Sequence, residues 1–386
     1  MTDTPSNTAM ASVVTAEVFE IEVALATPYK LSHGTEATAR AVLVKLIDAG
    51  GVEGWGEANP GATWSGESTG DEVRALKETL LPAVLSAENA APRYVDALLD
   101  TLVPKHLSAK GAVTMALLDI LGKRLRVPVA TLLGGAVRTS LPVLWPLGCG
   151  SAEDDIRVIE QRAAQGFSSF MLKMGVAPVR EELHRVAALR DRYGSRFLLI
   201  ADANQGWSRA EAHEFLAGVG AADLVFCEQP VRKDDLEGMA ELVDASPVPI
   251  SADESVIGLA DAARIATLRA ADIVSIKSSK NGGPLRAQSI AAVAEAFGIR
   301  CYLNSMLEFG ITQAASLQHA VTIGNLVEAG HAFMSTLRMA QDPTDFSSFV
   351  RDGVVHLPAA AGLGVQVDEP HVRRLAVDSF HLGAKA

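Results

Sequence analysis

The sequence predicts an α/β protein in two parts, an α+β domain followed by a (β/α)-barrel. Two observations carry that reading. Residues 13–135 begin as an antiparallel β-meander and then turn helical, whereas after Leu141 short apolar runs alternate with amphipathic helices. Eight such runs are present, the number of strands that closes a barrel. The division expected is 1–140 for the α+β capping domain, 141–350 for the barrel, and 351–386 for a C-terminal segment that packs back on the first domain.

The elements follow in order. Residues 13–24 and 40–48 are β-rich, Ala49-Gly50-Gly51 signals a turn, and 52–57 is the returning strand. From Asp71 to Leu133 apolar residues recur at helical spacing, as at Val95, Leu98, Leu99 and Leu102, until Gly134-Gly135 breaks the chain. The barrel runs are 143–149, 169–173, 197–201, 224–227, 248–252, 272–276, 299–303 and 325–329. They read as nearly continuous apolar stretches because strands of a parallel barrel are buried on both faces. Helices are expected at 152–165, 178–193, 208–218 and 285–297, with Ser208 and Glu211 forming a capping box.

Composition excludes several function classes. The 386 residues are 48% hydrophobic and 21% charged, ordinary for a folded protein with a large core. The net charge of −12 repels phosphate backbones, so nucleic acid is not an expected partner. No apolar run approaches the ~20 residues of a membrane span, so no membrane partner is expected. Cys149, Cys227 and Cys301 are far apart and form no CxxC, which fits a reducing cytoplasm. Residues 1–12 lack the basic start and apolar stretch of a signal peptide. Gly218-Val219-Gly220 ends a helix, so it supports no dinucleotide fold, and neither GxSxG nor HExxH occurs.

The chemistry lies at the C-terminal ends of the barrel runs, where barrel active sites form. Asp202, Glu228, Asp253 and Lys277 follow one another at intervals of 26, 25 and 24 residues, one βα unit each time. That spacing puts the four side chains on adjacent strands at one height. Three carboxylates held so closely repel, and a divalent cation removes the repulsion. A set with oxygen ligands alone selects a hard ion, Mg²⁺ or Mn²⁺. Lys173 and Lys277 flank the carboxylates, each at the end of a buried run, and suit proton transfer. Lys280 lies just past a strand end, without an assigned role. The set implies a small-molecule carboxylate whose α-proton is moved while its negative charge is stabilised as an enediolate.

The sequence resembles the muconate-lactonizing-enzyme subgroup of the enolase superfamily over almost its whole length. Gly54-Trp55-Gly56-Glu57-Ala58 is similar to the family's capping-domain motif, and residues 116–124 with Leu132-Leu133-Gly134-Gly135 to its domain junction. Asp202-Ala203-Asn204-Gln205, Glu228-Gln229-Pro230, Ala252-Asp253-Glu254-Ser255, and Lys277 with Lys280-Asn281-Gly282-Gly283-Pro284 resemble its barrel motifs. Ser305-Met306-Leu307-Glu308 resembles the strand-seven motif, whose glutamate borders the substrate. The resemblance implies a modified TIM-like barrel, (β/α)7β, under an α+β cap. It implies Mg²⁺ or Mn²⁺ on Asp202, Glu228 and Asp253, catalytic roles for Lys173, Lys277 and Glu308, and a homo-oligomer between dimer and octamer.

One position departs from the family pattern. The usual Lys-x-Lys ending strand two is Met171-Leu172-Lys173 here. Alternation puts Met171 on the inward face with Lys173, one layer deeper, and loss of that like charge raises the pKa of Lys173. Specificity is expected from the capping loops 27–33 and 64–68, with Tyr29, Lys30 and Trp64 over the substrate. Trp145, Met171 and Asn204 are further candidates for the pocket wall, and His331 a weaker one; His33 reads as a surface residue. The resemblance places cycloisomerisation of a muconate-like acid first. Racemisation, epimerisation or dehydration of an amino-acid- or proline-derived acid is the alternative, and a non-catalytic binding protein on the same fold is the rival of another class.

Overall fold

A computed structural model describes residues 11–31, 34–61, 66–220 and 223–384, with residues 30 and 31 described for their backbone only. The chain opens with three antiparallel strands, β1 (Val13–Leu31), β2 (Gly34–Asp48) and β3 (Glu53–Ala58). Period-two alternation splits their side chains between two cores. Ala16, Val18, Val42 and Val44 join one core with the helices that follow. Phe19, Ile21, Val23 and Leu43 join the other, which continues into the barrel.

The helical part consists of α1 (Thr69–Ala75), a π-helical stretch at 76–80, α2 (Leu81–Leu85), α3 (Pro92–Leu102), α4 (Leu107–Leu125) and α5 (Val129–Leu132). Helix α4 lies directly on β3, and Gly54 and Gly56 permit it. A Cβ on Gly56 would meet the Ala112 carbonyl oxygen at 1.8 Å, and one on Gly54 the Ala116 oxygen at 2.1 Å. The Gly-Trp-Gly-Glu motif is therefore first a packing device. Within α4, Asp119 accepts the backbone N–H of Trp55 at 3.1 Å and of Leu363 at 2.9 Å, which ties the helix to strand and C-terminal segment.

Strand β4 (Ser140–Pro142) leads into the barrel. Seven parallel strands follow: β5 (Leu144–Leu147), β6 (Ser169–Lys173), β7 (Leu198–Asp202), β8 (Cys227–Glu228), β9 (Ile250–Ala252), β10 (Ile273–Ile276) and β11 (Arg300–Leu303). Helices α6 (Ala152–Ala163), α7 (Val179–Tyr193), α8 (Arg209–Gly218), α9 (Leu236–Ala245), α10 (Leu259–Leu268), α11 (Pro284–Ala296) and α12 (Gly310–Ala320) alternate with them. The capping box of Ser208 and Glu211 is present at the start of α8. The eighth position is an extended segment that bridges Cys301 to Leu326 and Val143 to His331, so closure runs past 329. The result is a (β/α)7β barrel with a separate α+β cap.

The C-terminal segment divides. β12 (Val350–Arg351) pairs with β13 (Val354–His356) and β13 with β4, while α13 (Glu369–Leu375) leads into β14 (Ala376–Gly383), which pairs antiparallel with β1 in the capping sheet. Of the stretch read as loop 27–33, the described residues 27–31 instead continue strand β1 in the β1–β2 ribbon. Tyr29 pairs with Glu36 and Lys30 with Thr35, after a register shift between Ala24 and Tyr29. The shift accommodates Pro28, which has no N–H for a ladder.

Candidate active site

Strand register assembles the site. Lys173 ends β6 opposite Asp202 on β7, and Asp202 lies opposite Glu228 on β8. Glu228 pairs with Ser251, so Asp253, just past the end of β9, lies two residues beyond the register partner of Glu228. Such a stagger accompanies the tilt of barrel strands.

Asp202, Glu228 and Asp253 are fully buried beneath a cavity of about 1020 Å³ at the seam between barrel and cap. Lys173, Lys277, Lys280, Asn204, Glu254 and Asn304 are among the polar residues that line that cavity. Lys173 Nζ donates to Asp202 Oδ2 and, at 3.2 Å, to Asn204 Oδ1. Lys277 Nζ donates to Asp253 Oδ2 at 2.5 Å. Lys280 Nζ donates to Asp253 Oδ1 at 2.7 Å and to two backbone carbonyls. Asn304 Nδ2 spans both Glu228 oxygens at 3.1 and 3.0 Å. Asn281 locks the strand end by accepting the Lys277 N–H at 2.8 Å.

The electrostatics are those of crowded anions. Burial pushes Glu228 well above the usual carboxyl range, and repulsion from Asp202 and Asp253 adds to it. Burial opposes ionisation of Asp253, yet Lys277 and Lys280 hold it below its usual range. Burial also disfavours charge on Lys173 and Lys277, but Asp202 and Asp253 respectively outweigh it and raise both amines. Glu254 is pushed up to about 7 by burial and by Asp253, and its Oε2 is buried without a hydrogen-bond partner among the described residues. A divalent cation fits this donor set: it is all oxygen, buried, and carries more negative charge than burial tolerates without one.

Not every expected residue reaches the cavity. Tyr29, Met171 and Asn204 line it. Trp145 does not: Leu144 and Pro146 point inward, so alternation turns Trp145 outward, against Phe167 and under the Arg162 guanidinium at 3.6 Å. Glu308 is buried behind the cavity wall, where Ser305 Oγ and, at 3.1 Å, Ser279 Oγ donate to it. His331 is buried too; its Nδ1 accepts the Leu303 N–H at 3.1 Å, and burial lowers its pKa to about 3. Trp64 and His33 lie outside the described residues, as does the Lys30 side chain.

Four residues of the site were not singled out for it in the sequence. Asn304 follows β11 as the other candidates follow their strands, so strand-end position was its available signal. Lys280 was visible only as part of a loop motif, and Glu254 as the neighbour of Asp253. Arg338 lines the cavity from beyond the closing segment, where no periodicity marks it. A second acidic group also stands apart from the barrel carboxylates. Among the described residues, Glu67, Glu72 and His106 are the group of three whose ligand atoms all lie within 4.8 Å of one another. The three barrel carboxylates do not all lie within that distance of one another.

Comparison with known proteins agrees with this geometry. A family model described as "Mandelate racemase / muconate lactonizing enzyme, N-terminal domain" matches residues 13–134, and one described as "Enolase C-terminal domain-like" matches residues 155–371. The chain belongs to this branch of the enolase superfamily. Muconate cycloisomerase 1 of Pseudomonas putida is 33% identical over 90% of this chain and 94% of its own length. The L-Ala-D/L-Glu epimerase of Bacillus subtilis is 32% identical over 92% and 96%. The crystal structure of N-succinyl Arg/Lys racemase from Bacillus cereus superposes with a TM-score of 0.92 at 27% identity, covering 96% of this chain and all of that one. These relatives are isomerases, and so is this enolase-superfamily chain. Among the described residues no helix is long and apolar enough to cross a membrane.

Proposed function

We propose that this isomerase moves the α-proton of a small carboxylate substrate between Lys173 and Lys277. The observation that carries the reading is that both amines front one cavity from the two flanks of the buried carboxylate row. Asp202, Glu228 and Asp253 are the residues that would hold Mg²⁺ or Mn²⁺. The ion would supply electrophilic stabilisation of the charge that develops on the substrate carboxylate.

The chain's own residues do the rest. One lysine, neutral, takes the α-proton; the C–H electron pair delocalises into the carboxylate as an enediolate. The opposite lysine, protonated, returns a proton to the same carbon on the other face. With Asp202 and Asp253 engaged by a cation, the amines lose the partners that keep both of them protonated. Asn204 and Asn304 orient Lys173 and Glu228 by hydrogen bonds. The outcome that uses both lysines is racemisation or epimerisation.

Cycloisomerisation is the second reading, favoured by the similarity to muconate cycloisomerase 1. It needs one lysine to exchange a proton beside a lactone. Incubation in D₂O with Mg²⁺, followed by NMR, separates the two. The panel holds muconate, muconolactone, N-acyl amino acids, dipeptides, and proline and its betaines. Deuterium entering the α-carbon with inversion supports the first reading. Interconversion of muconate and muconolactone alone replaces it with the second, and no exchange in any carboxylate overturns both.

A further inference from the structure

The cap holds a cluster of potential ligands that proton transfer does not use. Glu67 lies just before helix α1, Glu72 within it, and His106 immediately before α4. The local structure fixes all three. Ser68 caps α1, accepting the Asp71 N–H at 3.2 Å, which sets the turn that presents Glu67. Glu67 Oε1 accepts the His106 N–H at 3.0 Å, and Glu72 Oε2 accepts the Ala109 N–H at 3.0 Å. His106 itself adopts a left-handed backbone, φ 62° and ψ 44°.

One oxygen of Glu72 and one nitrogen of His106 are left over. Glu72 is fully buried, and neither its Oε1 nor His106 Nδ1 has a hydrogen-bond partner among the described residues. Nδ1 lies 3.6 Å from Glu72 Oε1 and 3.6 Å from Glu67 Oε1, too long for a hydrogen bond to either. It is close to the spacing of ligands around one ion. Bonds of about 2.0–2.1 Å at tetrahedral angles set neighbouring ligand atoms about 3.4 Å apart. A proton shared by the two carboxylates is the rival occupant, and burial with Glu67 alongside raises Glu72 accordingly. Such a proton would leave Nδ1 without a partner, whereas a cation between the three satisfies every one of them.

The donor set selects the ion. One imidazole nitrogen with two carboxylates suits Zn²⁺, whereas the all-oxygen barrel set suits Mg²⁺ or Mn²⁺. The side chains of His106 and Glu67 keep 21% and 11% of their exposure, which leaves access for a water as fourth ligand. Glu67 also lines the barrel cavity, together with Ser68, Thr69 and Gly70. We propose that Glu67, Glu72 and His106 form a second metal site, in the cap, which takes Zn²⁺ and fastens the cavity rim at 67–70 to helix α4.

The test titrates Zn²⁺ by calorimetry into the full-length protein in excess Mg²⁺, which occupies the barrel carboxylates. One Zn²⁺ per chain is expected. His106→Asn and Glu72→Gln should each weaken it by at least roughly tenfold, and Asp253→Asn should leave it in place. Asparagine tolerates the left-handed backbone at 106. Thermal unfolding reports whether each variant is folded, and His106→Asn decides if the buried Glu72→Gln is not. Zn²⁺ should also slow amide hydrogen exchange at 67–70 in the wild type and not in His106→Asn. No uptake in excess Mg²⁺, the outcome for a shared proton, overturns the site. So does uptake unchanged in His106→Asn or lost in folded Asp253→Asn. Uptake without slowed exchange at 67–70 overturns the fastening.

Discussion

Lys277 Nζ lies 2.5 Å from Asp253 Oδ2, and the other oxygen of that carboxylate takes Lys280. One fully buried carboxylate thus serves two buried amines, while the Glu228 carboxylate beside it accepts from the Asn304 side-chain amide. The imbalance is what a bound cation would correct.

Asp253→Asn is therefore expected to abolish binding of one Mg²⁺ or Mn²⁺ per chain, measured by calorimetry. The asparagine keeps the volume and one oxygen for the lysines. Because Glu67, Glu72 and His106 form a separate candidate group, Glu72→Gln is the control and should leave the barrel ion in place. Binding that survives in Asp253→Asn and disappears in Glu72→Gln would move the metal out of the barrel.

Met171 is buried on the inward face of β6, one step below Lys173. Met171→Lys adds a like charge beside that amine, which disfavours its protonated form and lowers its pKa. The limb of the kcat/KM profile set by Lys173 should move to lower pH by about one unit. A limb that stays in place or moves up contradicts this.

Glu57 joins cap to barrel. Its two carboxylate oxygens accept the N–H groups of Phe309 at 2.7 Å and Thr312 at 2.9 Å, at the start of α12. Glutamine offers one acceptor and turns an amide N–H toward the other donor. Glu57→Gln should lower stability by about 1–3 kcal/mol in urea unfolding, the usual penalty for a buried donor left unpaired. Unchanged stability would show that the motif's glutamate has no structural role.

Two buried histidines make the fold acid-sensitive. Burial lowers His319 to about 4 and His331 to about 3, against an ordinary 6.5. The unfolded chain then binds more protons than the fold between those values, so stability is full above about 6.5 and is lost as pH falls toward 4. Glu57, raised by burial from 4.5 to about 8, acts in the opposite sense: its contribution is full below about 4.5 and is lost as pH rises toward 8. Both ring nitrogens of His319 are buried without a hydrogen-bond partner among the described residues. His319→Leu should thus flatten the acid-side loss by up to roughly 3 kcal/mol. An unaltered pH profile of unfolding would contradict the assignment.

The sequence made the fold legible where local signals agree with tertiary burial. The barrel strands read correctly because both faces are buried, and Ser208 and Glu211 because a capping box is a local interaction. The eighth strand was shortened because its pairing is two isolated bridges to distant strands. The ribbon at Tyr29 was read as loop because Pro28 interrupts it, and a register shift is invisible without the partner strand. In the site, strand-end position found Lys173, Asp202, Glu228, Asp253 and Lys277 as neighbours. It misplaced Trp145, where one residue of alternation decides between pocket and outer wall. It did not find Arg338, whose place depends on how a late turn meets the capping sheet.

The central claim is that the two lysines serve opposite faces of one carbon. The most direct measurement uses a single substrate identified by exchange, supplied as each pure enantiomer in D₂O to Lys173→Ala and to Lys277→Ala. Each variant should lose racemisation by at least about 10². Each should still exchange deuterium into one enantiomer, and the two variants should favour opposite enantiomers. Near-normal racemisation in either variant, or the same enantiomer exchanging in both, would contradict the account.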